Sequence, residues 1–267
     1  MKKSTFFRLL GFVLSLTLIF SFTGCDKMNQ KTQITVASYN VQCLSYGNQL
    51  LAISEEIKTI KPDIIGIQEL DYYSNRTGNT NQLENLALMS GYKYFYFTKT
   101  IDHDGGEYGH GIMSKYPISN FETFAFKTQN NENRCFSRSE IDINGKIITF
   151  YNTHLEFGGN IQADQISEIF DLAQQDEFSI ITGDMNCTPD TYKDCFNHDK
   201  MLSLNGGNEF KCFINTCPEG EKSFEAIDNI IVSKSFHCYY NDKTQSNLIV
   251  NKTENSDHNM IYTHLEF

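Results

Sequence analysis

Two short stretches late in the chain, Gly183-Asp184-Met185-Asn186 and Ser256-Asp257-His258, place carboxylate, amide and imidazole groups downstream of apolar, β-prone runs. The same pattern occurs earlier, where Ser38-Tyr39-Asn40 closes the run Ile34-Thr35-Val36-Ala37 and Gln68-Glu69 closes Asp63-Ile64-Ile65-Gly66-Ile67. A single Asp or Asn at a strand end is ordinary turn chemistry, because these side chains bond to nearby backbone. Four such endings, joined by Asn152-Thr153-His154 and Ile227-Asp228-Asn229, point to a metal-phosphate site.

The residue types suggest a division of labour. A hard divalent cation such as Mg²⁺, with Mn²⁺ as an alternative, takes oxygen ligands and keeps several waters beside one or two carboxylates. Glu69 is the first candidate ligand, at the end of an apolar strand with its carboxylate facing the sheet edge. Asp257 could supply a second carboxylate, and Asn40 an amide for metal or phosphate. Asp184 and Asn186 are two apart, so in an extended segment both face the same way, one to orient a water and one to hold a phosphate oxygen. His154 and His258 could donate to a phosphoryl oxygen that gains charge in the transition state. Asp228 interrupts an apolar run, and an acid there needs a partner, such as one of these histidines.

Strand-like runs that would position these groups lie at 33–40, 63–68, 93–98, 111–114, 118–126, 135–143, 146–153, 178–183, 229–233, 246–250 and 259–266. Helical periodicity appears at 47–60, 81–90 and 161–174. Asn144-Gly145 between two β-like segments signals a hairpin, so antiparallel pairing accompanies strand-helix-strand units. Together these predict an α/β (α+β) domain of four layers, two packed mixed β-sheets flanked by helices. Thr-His-Leu-Glu-Phe occurs at 153–157 and again at 263–267, where it reads as a terminal strand and not a second site.

Met1-Lys2-Lys3 with Arg8 form a basic start, and Leu9 to Phe20 an apolar stretch shorter than the roughly 20 residues of a membrane span. This reads as a secretory signal. Phe22-Thr23-Gly24-Cys25 resembles a bacterial lipobox. Residues 1–24 are therefore expected to be a lipoprotein signal peptide, Cys25 the lipidated N-terminus, 25–32 a tether and 33–267 the domain. The expected location is the bacterial cell envelope, anchored by lipid outside the cytoplasmic membrane, as a monomer. Removing residues 1–24 takes away Lys2, Lys3 and Arg8 and no acid, moving the formal charge from −11 to −14. Such a field disfavours a broad grip on duplex nucleic acid. Seven further cysteines cannot all pair within one chain; Cys212 with Cys217, and Cys187 with Cys195, are near enough to be disulfide candidates.

Taken in order, Ala37-Ser38-Tyr39-Asn40, Ile67-Gln68-Glu69, Asn152-Thr153-His154-Leu155, Gly183-Asp184-Met185-Asn186, Ile227-Asp228-Asn229-Ile230 and Ser256-Asp257-His258 resemble the motifs of the endonuclease/exonuclease/phosphatase superfamily, which includes deoxyribonuclease I. The resemblance implies a deoxyribonuclease I-like fold and Mg²⁺-dependent hydrolysis of phosphate esters, most readily diesters, by in-line attack of water. In that scheme Asp184 is the base, Glu69, Asp257 and Asn40 hold the metal, and His258, His154 and Asn186 stabilise the phosphorane, with Asp228 supporting the terminal histidine. Arg76 to Gln82 and Asp104 to Gly109 are similar to a bacterial branch of metal-dependent hydrolases, which adds Tyr108 to the catalytic set and Arg134 as a phosphate contact beside Asn40. His110 stands where that branch tends to have Asn, and is expected to bear on substrate orientation at the phosphate. The implied substrate is nucleic acid, a phospholipid head group or a sugar phosphate. A non-catalytic binding module on the same fold is the alternative, and would be expected to lack at least one ligand or base; none is missing.

Overall fold

Apolar residues alternate along most of the strands, and the two faces they define go to different cores. In β1 (Gln33–Asn40), Ile34 and Val36 point into one core while Ala37 and Tyr39 point into another. The computed structural model describes residues 31–44, 48–127, 132–158, 161–206, 214–217, 226–239 and 247–267. Cys25, the expected signal segment and Cys212 lie outside them.

After β1 come α1 (Gln49–Ile60), β2 (Ile64–Tyr72), α2 (Gln82–Ser90), β3 (Tyr94–His103), β4 (Gly106–Ser114), β5 (Ile118–Ala125), β6 (Cys135–Ile143), β7 (Lys146–His154), α3 (Gln162–Ala173), β8 (Ser179–Asp184), β9 (Met201–Ser203), β10 (Asp228–Ser233), β11 (His237–Cys238), β12 (Ile249–Asn251) and β13 (Met260–Glu266). One sheet has the order β11-β13-β1-β2-β4-β3, with β12 also on β13; the other runs β5-β6-β7-β8-β10-β9. Both are mixed: β1 with β2 and β7 with β8 are parallel, and the remaining pairs are antiparallel.

Between the sheets, Ile34, Val36, Ile64 and Ile112 of the first meet Ile148, Phe150, Ile180 and Ile230 of the second. Ile53 and Ile57 of α1 and Leu83 and Leu86 of α2 cover the outer face of the first sheet. Ile166, Ile169 and Phe170 of α3 cover that of the second. The result is the four-layered sandwich of two mixed sheets and outer helices. At about 25 cal/mol per Å² of apolar surface, these three clusters supply the main driving force for folding.

The turns follow from the residues at them. Asn144 and Gly145 both take positive φ, 58° and 85°, between β6 and β7, the two-residue hairpin geometry their types favour. Asp104 and Gly105 do the same between β3 and β4 at 46° and 80°, carrying both strands beyond the predicted 93–98 and 111–114. The second Thr-His-Leu-Glu-Phe lies in β13, where His264 is exposed. The short strands β9 and β11 were not predicted, since three and two residues show no period. Of the two candidate disulfides, Cys187 and Cys195 are not joined: both thiols are free, and burial pushes that of Cys187 up to about 12.

Candidate active site

Alternation brings the site together. In the second sheet, Ile148 and Phe150 of β7, Ile180 of β8 and Ile230 of β10 face the first sheet. Two- and four-residue steps from them put Asn152 and His154, Thr182 and Asp184, and Asp228 on that same face. Register then places His154 beside Asp184 and Asp184 beside Asp228 on three adjacent strands. In the first sheet the same stepping from Val36 gives Ser38 and Asn40.

Glu69 reaches this face by a different route. Ile65 and Ile67 point outward under the helices, so an unbroken strand would bury residue 69 among them. Instead β2 continues through Tyr72, its register with β4 shifts between Ile67 and Leu70, and Glu69 takes φ 58°. This bulge returns Leu70 to the outer core and frees the Glu69 carboxylate to accept from Asn40 Nδ2 at 3.0 Å. The expectation that Glu69 ends its strand is thereby corrected; the extra residue is what aims it.

A buried polar layer supports the bulge from the opposite sheet. Asn152 Nδ2 donates to the carbonyls of Ile67 and Gly111, at 3.2 and 2.9 Å, where the ladder is interrupted. Asn152 Oδ1 accepts from Gln68 Nε2 at 2.7 Å and from Thr182 Oγ1 at 3.0 Å.

Asn40 joins the two halves. Its Nδ2 donates to Glu69 and also, at 3.0 Å, to Asp184 Oδ2, while its Oδ1 accepts from the Gln42 amide. Asp184 is fully buried, and His154 Nε2 and His258 Nε2 lie 3.5 and 3.6 Å from its Oδ2. Burial raises the Asp184 carboxyl to about 7, against the lowering influence of His258. Asp228 Oδ2 stands 2.8 Å from His258 Nδ1. The histidines diverge. Burial lowers His154 well below its usual range, aided by the charges of Arg134 and His258, so it is neutral. Burial also opposes protonation of His258, yet Asp228 and Asp184 outweigh it and raise its pKa well above normal.

Asn186 does not share an extended face with Asp184. The strand ends at Asp184, Asn186 takes φ 48°, its amide donates to Asp184 Oδ1 at 2.9 Å and its Nδ2 to Leu155 O at 2.8 Å. An Asx turn, favoured by Asp at that position, overrides the extended geometry. Asp257 is half-buried with Oδ1 3.5 Å from Ser256 Oγ, while Ser256 Oγ donates to Asn40 O at 2.8 Å. Tyr108 is half-buried, with the Arg76 guanidinium 5.7 Å over its ring; burial, then the charge of Glu69, holds its phenol protonated. His110 is 1% exposed; burial and then Arg134 depress it to about 3. Arg134 is itself buried, and its charge acts on His110, His154 and Tyr108 together.

Sequence reading missed the Asp71–Arg76 pair, in which Arg76 Nε and Nη2 each lie 2.7 Å from the Asp71 carboxylate. Arg76 also donates to Cys43 Sγ, whose thiol in turn faces Glu69 at 3.6 Å. The signal available was the Asp71 to Arg76 spacing directly after Glu69.

Donor atoms of Glu69, His154 and Asp184 lie within 4.8 Å of one another, as do those of Asp184, Asp228 and His258. Asp184, Asp228 and Asp257 act on one imidazolium, and Glu69 lies on the far side of Asn40, so a cation there would offset the negative charge of these acids. Burial and then the Glu69 charge keep the Cys43 sulfur a thiol, leaving oxygen as the main donor type. That set fits a hard divalent cation.

The fold is a two-sheet sandwich, and its cluster of acids and histidines suits a phosphoester hydrolase. The chain belongs to the endonuclease/exonuclease/phosphatase family, whose model matches residues 37–240. Among solved structures it is similar to an endonuclease/exonuclease/phosphatase from Beutenbergia cavernae, at 16% identity and TM-score 0.69, covering 88% of this chain and 72% of that one. It is also similar to a mannosyl-6-phosphatase from Bacteroides thetaiotaomicron, at 19% identity, TM-score 0.64 and coverage of 88% and 100%. Truncated TDP2 from Caenorhabditis elegans matches at 16% identity, TM-score 0.63 and coverage of 87% and 97%. At these identities the likeness is one of fold. No curated protein matches the chain significantly.

Proposed function

We propose that this chain is an exported, lipid-anchored phosphoesterase that hydrolyses phosphate esters, phosphodiesters foremost, with the help of a divalent metal. The observation that carries the reading is the convergence of Asn40, Glu69, His154, Asp184 and the Asp228–His258 pair on one buried end of the sandwich. Export and anchoring rest on the basic start, the apolar stretch and Cys25.

Mg²⁺, or Mn²⁺, would be held by Glu69, with Asp257 as the second carboxylate, and when bound supplies charge neutralisation on the phosphate; Asn40, expected as a ligand, has its Oδ1 on the Gln42 amide and its Nδ2 on Glu69, and so orients that carboxylate instead. Asp184 accepts a proton from water as the water oxygen attacks phosphorus in line with the leaving ester oxygen. Asn40 and the Asn186 amide keep that carboxylate in one orientation. Protonated His258, held by Asp228, and neutral His154 face the oxygens that gain charge, and Tyr108 and His110 of β4 in the first sheet, with Arg134 just before β6 of the second, surround the phosphate. The leaving oxygen takes a proton from solvent and Asp184 releases its own to solvent, so the net products of the ester and water are an alcohol and a phosphate monoester or phosphate.

The formal charge of −14 after signal removal tilts the reading from duplex DNA towards phospholipid head groups or small sugar phosphates. Sugar phosphates gain some support from the similar fold described as a mannosyl-6-phosphatase. The test is a panel of nucleic acids, phospholipid head-group diesters and sugar phosphates, assayed with Mg²⁺, Mn²⁺ or chelator, alongside Asp184→Ala. Turnover should stop with chelator and fall by about 10³-fold or more in the variant. Turnover indifferent to both would sink the mechanism.

A further inference from the structure

α1 does more than cover the first sheet. Its buried face runs through Gln49, Ile53, Ser54 and Ile57, and half-buried Glu56 lies at the edge of that face, three residues after Ile53. A carboxylate at a helix-to-sheet contact is costly unless it is partnered. Glu56 is fully partnered: its Oε2 accepts from Tyr39 OH at 2.8 Å, and its Oε1 accepts from Thr253 Oγ1 and, at 2.6 Å, from Asn255 Nδ2. Gln49 Nε2 adds a bond to Asn255 O at 2.6 Å.

These partners belong to two parts of the site. Tyr39 directly precedes Asn40, the residue that links Glu69 to Asp184. Thr253 and Asn255 lie in the irregular segment between β12 and β13 that delivers Asp257 and His258. That segment has little ladder bonding of its own. It is held by Asn255 N to Thr253 Oγ1, His258 N to Ser256 Oγ, Ser256 Oγ to Asn40 O, Asn259 N to Thr216 O, and the contacts to α1. A helix is a stiffer reference than a loop, so bonds from α1 fix where the loop stops.

We propose that Glu56 is a positioning residue for the catalytic loop: its carboxylate clamps Thr253 and Asn255 to Tyr39, and so sets His258 against Asp184 and Asp228. Glu56 touches no reacting atom, and its effect runs through His258. For its kinetic arm this rests on the phosphoesterase reading; its structural arm does not.

Two measurements test it on the full chain: amide hydrogen exchange over residues 251–259, and steady-state kinetics on whichever ester the wild type turns over. Glu56→Gln keeps the shape but replaces the carboxylate that strengthens all three bonds by a neutral amide, and sets an N–H against Tyr39 OH, which must then turn from donor to acceptor. Exchange over 253–258 should accelerate by about tenfold or more while β1 and β8 stay protected. The kcat should fall by about 10- to 100-fold with KM within about twofold, the pattern of a misplaced catalytic group and not of lost binding. Asn255→Ala, which removes a partner from the loop side, should reproduce both effects in smaller measure. In a His258→Ala background, Glu56→Gln should change kcat no further, because the group it positions is gone. Wild-type kcat in Glu56→Gln, or an effect that adds in full to that of His258→Ala, overturns the proposal. If the wild type turns over no phosphate ester, it is the functional reading that has failed, and the clamp then stands or falls on exchange alone, unchanged protection over 253–258 refuting it.

Discussion

Two carboxylates, Asp184 and Asp228, face each other across antiparallel strands in the interior, an arrangement that repels unless something intervenes. What intervenes is His258, which bonds Asp228 at 2.8 Å, and Asn40, which donates to Asp184 at 3.0 Å. The charge on His258 is therefore a product of its neighbours, chiefly Asp228, working against burial. Asp228→Asn keeps the size and one hydrogen bond but removes that charge, so the His258 pKa should fall back towards the ordinary range of a histidine. By the same loss, kcat should drop by about 10²–10⁴-fold, in the range seen when a histidine loses its supporting carboxylate. Titrating the imidazole by NMR in wild type and variant reads the first effect directly. A His258 that stays protonated in Asp228→Asn would mean that Asp184 holds it instead. His154 lacks such a partner, its Nδ1 has no hydrogen bond, and it stays neutral.

At the scale of the element, the bulge in β2 decides whether Glu69 serves the site or is lost under the helices. Its lock is Asn152, and the space for that lock exists because residue 66 is glycine. A Cβ at Gly66 would come within 2.2 Å of Thr182 Oγ1 and 2.4 Å of Asn152 Oδ1. Gly66→Ala should thus displace the polar bridge and cost about 2–4 kcal/mol of stability, more than a surface glycine would. Urea unfolding of the variant beside Gly145→Ala, which meets no atom within 4 Å but has φ 85°, separates crowding from backbone strain. Equal losses in the two would remove the case for crowding. This element also marks where sequence reading stops. Period-two alternation made β1, β7, β8 and β10 legible, and with them the convergence of Asn40, His154, Asp184 and Asp228 on one face. It ended β2 too early because a bulge breaks the period it relies on. Asn186 escaped extended geometry because its amide bonds locally to Asp184. Glu56 was invisible because helix periodicity counts apolar residues, and a half-buried carboxylate beside the inner face reads as noise until its three donors from distant segments are seen.

Over the whole molecule, the space between the sheets grades from an apolar layer around Ile34 and Ile180, through the Ser38–Gln68–Asn152–Thr182 bridge, to the titratable groups at one end. Putting neutral histidines at that end ties stability to pH. His110 has a folded pKa of about 3, set by burial and the Arg134 charge, against about 6.5 when unfolded. Arg134 is the charge that acts on it, while Arg134, His258 and His110 act on its neighbour His154. A depressed histidine pKa means that the native state refuses a proton the unfolded chain accepts. Its contribution is therefore intact above about pH 6.5 and is lost as pH falls from there towards 3, by of the order of 3 kcal/mol at pH 4. His110→Asn removes the titrating ring at similar polarity. Its stability relative to wild type should improve progressively as pH falls from 7 to 4, shifting the acid-unfolding midpoint to lower pH, while surface carboxylates titrate equally in both proteins and cancel. Denaturant unfolding of the pair at a series of pH values measures this difference, and a difference that is flat across that window would show that His110 takes up its proton in the folded state, where Arg134 would then have to move away from it.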